Sequence, residues 1–437
     1  MFVVTTNINC DINFPFKTKG GFMKKLLLGL VFLLSIGILF AAGSKEQKTE
    51  PRELNLFHFK VSQVEQWDQL VKEYAKVEPG VELVVETVGG AADWTTALKT
   101  KFASGNGPDI FVVDGPALAN TFSEYLTDLS DQPWVSHAVE SAKRPMTFEG
   151  KLMGMPFNLE GYGFIYNKKI FRDAGVTKKP ATIQELQAAA EKIQAIGITP
   201  FGNGYSEWWV IGMHLMNIPF ASQKNPASFS DALDKGTASI TDNAIFNSFK
   251  ETFDLTIAYG NKNPLTTDHN AQMSMFNNGE VAMVQQGNWK EVGIYEANPD
   301  AEVGLLPIPV NNDLAASDRI PVGVPFYWVV NKNSDMNDDA KKFLNWMVTS
   351  DVGRRYITEE FGYIPAFDNI KSDSLGGLSE DILTYASKGK TIPWSFTTWH
   401  DGMYNEFSEH AQRYVANEIS YSEMLKRMQE SWVRLAK

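Results

Sequence analysis

The sequence is almost without cysteine, having only Cys10 among 437 residues. That residue stands upstream of a segment that reads as an export leader. The exported chain is therefore expected to have no thiol, no disulfide and no cysteine nucleophile or thiolate metal ligand. Its stability must come from packing. Histidine is sparse too, with six residues scattered at no zinc-ligand spacing. No GxxxxGKS/T phosphate loop, GxSxG elbow or HExxH helix occurs, so the chemistries those motifs carry have no foothold. Basic blocks are missing beyond the leader and the formal net charge is −12, which leaves a phosphate backbone no clustered cations to meet. Nucleic acid is not an expected partner, and neither a metal nor a cofactor is expected. Acidic pairs such as Glu359-Glu360 and Asp338-Asp339 fall on helix-patterned surface, where a solvated face explains them better than a glycosidase acid and base.

Long apolar runs are missing, with one exception. Residues 26–42 are uncharged, follow Met23-Lys24-Lys25 and close on Ala41-Ala42-Gly43-Ser44. That order is a secretory signal peptide over residues 23–44, followed by a polar linker at 45–52. Residues 1–22 have no such logic, so the expected start is Met23 and the preceding stretch an extension. No later run is long enough to span a bilayer, and the exported part is expected to be soluble. About 390 residues then remain, more than a single core usually organises, so two lobes are expected. Aromatic residues make up 12% of the chain, including 11 tryptophans, several in Gly- and Pro-rich loops where core packing is a poor explanation.

Strand and helix patterns alternate. Residues 54–59, 81–88 and 109–113 read as strands, and residues 63–77 and 94–102 as helices, the first with Val64, Trp67, Leu70, Val71 and Tyr74 on one face. This alternation implies a parallel sheet covered by helices, with ligand bound beyond the carboxyl ends of its strands. His58, Lys60 and Asp114 stand at such ends. Residues 182–196 read as a helix opened by a Thr182/Glu185 capping box. Residues 305–310 and 322–330 read as strands returning to the first lobe, with helices resuming from Asp338.

The segment GKLMGMPFNLEGYGFIYNK at residues 150–168 joins a glycine turn, an apolar strand, a carboxylate expected to be exposed at Glu160, and an aromatic strand beyond Gly161 and Gly163. It resembles the first interdomain crossover of the extracellular solute-binding proteins, family 1, that serve ATP-binding cassette sugar importers. GPDIFVVD at 107–114, FNNGEVAMVQQGNW at 276–289 and PVGVPFYWVVNKNS at 321–334 carry the same resemblance in order. It implies an α/β, two-lobed periplasmic-binding-protein fold with discontinuous lobes joined by a hinge. The expected lobes are 53–158 plus about 304–332, and 159–303 plus about 333–437. Hinge crossings are expected near 158–162, 293–304 and 331–338. Many relatives carry a lipid-anchoring Cys where this chain has Ala42, so an unlipidated periplasmic protein is expected.

Sugar rings present an apolar C–H face and a rim of hydroxyls, which suit flat aromatic surfaces beside fixed donors and acceptors. On the family pattern Glu160 contacts ligand and Trp289, in its Gly-Asn turn, stacks on a ring. Asp114 either contacts ligand or caps the next helix. Of the adjacent Trp208 and Trp209, an extended chain would turn one to the cleft, and the match with the family favours Trp208. Trp394, Trp399 and Asp401 form a loop cluster, and His58 and Lys60 complete the candidates. The resemblance implies a monomeric importer component that captures a sugar, expected to be an oligosaccharide, by hinge closure and delivers it to a membrane permease. A secreted glycosidase and a sugar sensor for a chemoreceptor or kinase remain as alternatives.

Overall fold

The structure is a computed structural model that describes residues 51–437 apart from Ala91 and residues 372–374. The leader, its small-residue end and nearly all of the linker lie outside the described residues. In the first lobe, β1 (Arg52–His58) turns Leu54, Leu56 and Phe57 into the core and pairs in parallel with β2 (Val81–Thr87) and β3 (Ile110–Val113). The helix Val64–Val77 makes the first crossover and buries Trp67, Leu70 and Tyr74. The second crossover, helix Trp94–Ala103, is opened by Asp93, whose carboxylate accepts from the N–H groups of Thr95 and Thr96. A small hairpin, β4 (Thr147–Phe148) with β5 (Lys151–Leu152), precedes β6 (Met155–Pro156).

The chain then crosses at Phe157 into β7 (Asn158–Asn167), a ten-residue strand buried along most of its length. It is the spine of the second lobe. Around it stand β8 (Thr199–Gly202), β9 (Val281–Gly287), β10 (Val303–Leu306) and β11 (Ile320–Gly323). After β11 the chain returns through residues 324–326 to β12 (Tyr327–Val330), which pairs antiparallel with β3 and gives the first sheet the order β2-β1-β3-β12-β6. Two short strands, β13 (Ile364–Pro365) on β7 and β14 (Thr391–Ile392) on β11, complete the second sheet. The capping box of helix Ile183–Ala195 closes one residue early: Thr182 accepts from Glu185 N, and the Glu185 carboxylate accepts from Ala181 N at 3.0 Å.

The expected lobe boundaries need correction in two places. β10 and β11 do not return to the first sheet, because Leu305 and Leu306 pair with Ile165 and Phe164 of β7 and leave no long strand unpaired there. The helix Asn337–Thr349 does not belong to the second lobe. Only a few residues separate it from β12, so its apolar face of Phe343, Leu344, Met347 and Val348 folds back on the first core, which runs on to Ile370. The helix Gly377–Ser387 then buries Leu378 and Ile382 in the second lobe. Crossings therefore lie at Phe157 and at residues 324–326 rather than near 293–304 and 331–338, and the first core ends at Ile370. Among the described residues no helix is long and apolar enough to cross a membrane.

Candidate functional site

Between the lobes lies a cavity of about 200 Å³ lined by Trp94, Trp208, Trp209, Trp289 and Trp394, together with Phe59, Phe396 and a few ionisable groups. The Trp289 wall follows from its local sequence. Gly287 has no side chain, and a Cβ there would come within 2.2 Å of the indole. Asn288 anchors the turn by accepting from Gly161 N at 3.0 Å. The indole N–H donates to Gln286 at 2.9 Å, Gln286 donates to Gln272 at 2.7 Å, and Gln272 donates to the Gly202 carbonyl at 2.7 Å. A chain of amides thus holds Trp289 to the sheet, which is the support a stacking surface requires.

Glu160 and Lys60 form the floor. Glu160 is not exposed as expected. It is 2% accessible, its carboxylate takes the Lys60 ammonium at 2.6 Å, and Asn158 donates to the same oxygen at 3.3 Å. A lysine from the end of β1 reaches it because β7 starts directly under that end. The Lys60 ammonium also lies 6.0 Å from the Trp289 ring centroid and 5.7 Å from that of Phe326. Asp114 faces the cavity from the end of β3, and burial, with the nearby Asp401 charge, pushes its carboxyl up to about 6.

Trp208 and Trp209 both line the cavity. The expectation that only one would do so assumed an extended chain, but Trp208 has helical dihedrals, so consecutive side chains are not thrown to opposite faces. Trp208 stacks on Tyr404 with centroids 5.1 Å apart. Glu207 accepts from His269 Nδ1 at 2.6 Å and from Trp209 Nε1 at 3.1 Å, and these bonds, that of His269 foremost, hold its carboxyl below the ordinary value. On the other wall Asn217 accepts from Ser395 N and donates to the Pro393 carbonyl, fixing the loop that carries Trp394.

Three expected residues stand elsewhere. His58 is 1% exposed beneath the floor, bonded to Thr87 and packed against Trp67, and it accepts from Lys60 N at 3.3 Å. Its apolar surroundings exclude it from the cavity wall. Trp399 is core, 1% exposed and 4.7 Å from the Phe220 ring, because the turn Ser395–Thr398 points it away from the cleft. Asp401 lies in an adjoining recess with Asp93 and Tyr404, where it pairs across the lobes with Lys99 at 2.6 Å. The sequence reading missed Trp94, Trp209, His214, His269 and Lys290. Of these, His269 could have been sought from the Asp268 cap that opens its helix. His214 is buried with Nδ1 unpartnered, and burial, then Lys60, brings its pKa down to about 3. Burial lowers Lys290 to about 8, and it has no ion-pair partner among the described residues.

Two α/β lobes joined by several crossings, with an aromatic cleft between them, define a binding-protein architecture. Residues 60–354 match the family described as bacterial extracellular solute-binding protein, and the chain belongs to that family. A maltotriose-binding protein of Pyrococcus abyssi is 26% identical over 332 residues, covering 74% of this chain and 66% of that protein, just under two thirds of its length. A multiple sugar-binding protein of Streptococcus mutans is 24% identical over 388 residues, 86% of this chain and 89% of that protein. A solved chitin oligosaccharide binding protein superposes with a TM-score of 0.77 at 22% identity, over 89% of this chain and 100% of that one. The solute-binding protein RafE in complex with raffinose gives 0.77 at 18% identity, over 88% and 100%. At these identities the structural likeness concerns the fold.

Proposed function

We propose that this chain is the exported, carbohydrate-capturing component of an ATP-binding cassette importer. The observation that carries this reading is the set of five tryptophans around one interlobe cavity that also holds Asp114, Glu160, Lys60 and His269. Indole faces suit the C–H faces of sugar rings, and the fixed carboxylates and imidazole suit their hydroxyls. The names of the relatives, maltotriose-binding and multiple sugar-binding, support the same class of ligand. Ligand would meet one lobe first and gain the other by closure, so that binding shifts the open–closed equilibrium by its differential affinity. The closed, monomeric protein would then dock on a membrane permease and release its sugar unchanged. Ala42 at the place of the family's lipidated cysteine supports a freely diffusing periplasmic protein.

A thermal-shift screen over mono- and oligosaccharides tests the ligand class. A ligand at a hundred times its dissociation constant adds about 2.7 kcal/mol, so the cognate sugar should raise the melting temperature distinctly. A screen in which no sugar moves it, while an amino acid or a peptide does, would defeat the reading.

A further inference from the structure

We infer that the site continues past Trp289 into a second interlobe chamber of about 530 Å³, a subsite for further hydroxylated units, so that the ligand is an oligosaccharide lying along the face of the helix His269–Asn277. The inference rests on the reading that the cleft takes a sugar. Trp289 and Lys290 line both spaces and form the threshold between them. The central cavity alone is smaller than ordinary ligand pockets, which hold roughly 300–1,000 Å³. A ligand of several rings must therefore use adjoining space.

The chamber has the chemistry for hydroxyls. Asn270, Ser274 and Asn277 recur at helical spacing, so one face of their helix is turned to it, and Gln63 and Gln66 of the first lobe stand opposite. The Gln63 carbonyl is taken by Tyr363 at 2.6 Å. Within the described residues the side chains of Gln66, Asn270, Ser274 and Asn277 make no hydrogen bond. Carboxamides on a helix face are ordinarily only solvated, but these converge from both lobes on a space that opens from a stacking tryptophan. Each amide offers a donor and an acceptor, as a sugar hydroxyl does, whereas a site for an anion would need clustered cations. Of the acidic groups on this wall, Glu360 is already engaged by Arg355.

The test is titration calorimetry with malto-, galacto-, xylo- and chito-oligosaccharides from the monosaccharide upward. In the series the parent protein binds, affinity should rise at least about tenfold with length. Ser274→Trp, which fills the chamber, should abolish that rise and leave monosaccharide binding unchanged. The double substitution Asn270→Ala with Asn277→Ala should reduce the rise. All three positions are exposed, so ligand-free melting temperatures should match the parent's. A parent affinity independent of length, a rise that survives in both variants, or an equal loss of monosaccharide affinity in both would overturn the subsite alone. Failure of the parent to bind any saccharide would overturn the proposed function and the subsite with it.

Discussion

At the scale of single residues, the Glu160–Lys60 pair governs the cleft floor, since their side chains are only 3% and 13% accessible. The attraction within such a pair is offset by desolvation, but removing one partner leaves the other charge uncompensated. Glu160→Gln keeps the shape and loses a charge-assisted bond, worth about 1.5–3 kcal/mol. The ligand-free melting temperature and the sugar affinity should therefore fall together, the second because Lys60 is no longer held beside Trp289. An unchanged melting temperature would mean that the pair has no part in holding the lobes. His58 and His214 are each held near 3, against an ordinary 6.5, by burial first and Lys60 second. The unfolded chain takes up protons that the folded chain refuses. Their contribution is thus complete above about pH 6.5 and is lost as pH falls towards 3, whereas Asp114, raised to about 6, acts in the opposite sense. His214→Gln should make the loss of thermal stability between pH 6.5 and 3 shallower than in the parent, and parallel curves would contradict that origin. Some of this was legible. The Gly-Asn-Trp turn announced a displayed indole, but the bond from His269 to the Glu207 carboxylate spans 62 residues and leaves no local pattern.

At the scale of elements, Gly115, at the start of the helix Pro116–Thr121, packs across the lobes against the turn Ser395–Thr398. A Cβ on Gly115 would stand 2.8 Å from Thr397 Cβ. Gly115→Ala should hold the lobes apart, lowering sugar affinity about tenfold, or roughly 1.4 kcal/mol. Ligand-free stability should fall as well, by about 1–3 kcal/mol, because Gly115 holds φ 158° and ψ −170°, a conformation that costs a residue with a Cβ. Calorimetry and thermal denaturation together check this, and a sharp fall in stability with unchanged affinity would place the cost inside one lobe. The nearby Lys99–Asp401 pair is 34% and 65% exposed, so it contributes at most about 1 kcal/mol to closure. The alternation of β1, helix, β2, helix and β3 was readable because each element carries its own period. The allocation of β10 and β11 to the second lobe and of the helix Asn337–Thr349 to the first was not. That allocation depends on which strand lies beside β7 and on a link after β12 too short to reach the other lobe, and neither is a local property.

At the scale of the whole molecule, the lobes meet along a cleft whose walls come from both, so no single stretch of sequence contains the site. The crossovers at Phe157 and residues 324–326 bring β7 under the end of β1, and this places Glu160 of one sheet beside Lys60 of the other. The family resemblance made the two-lobed plan legible, while the gathering of five tryptophans needed the folded chain. The most direct measurement is titration calorimetry of the parent and of Trp289→Ala with the sugar that the thermal screen selects. The parent should bind one sugar per chain. Trp289→Ala should lose about 1–3 kcal/mol of affinity while the protein stays folded, as expected for removal of a large stacking surface. Equal dissociation constants for the two proteins, or no heat with any sugar, would contradict a carbohydrate site built on the interlobe cleft.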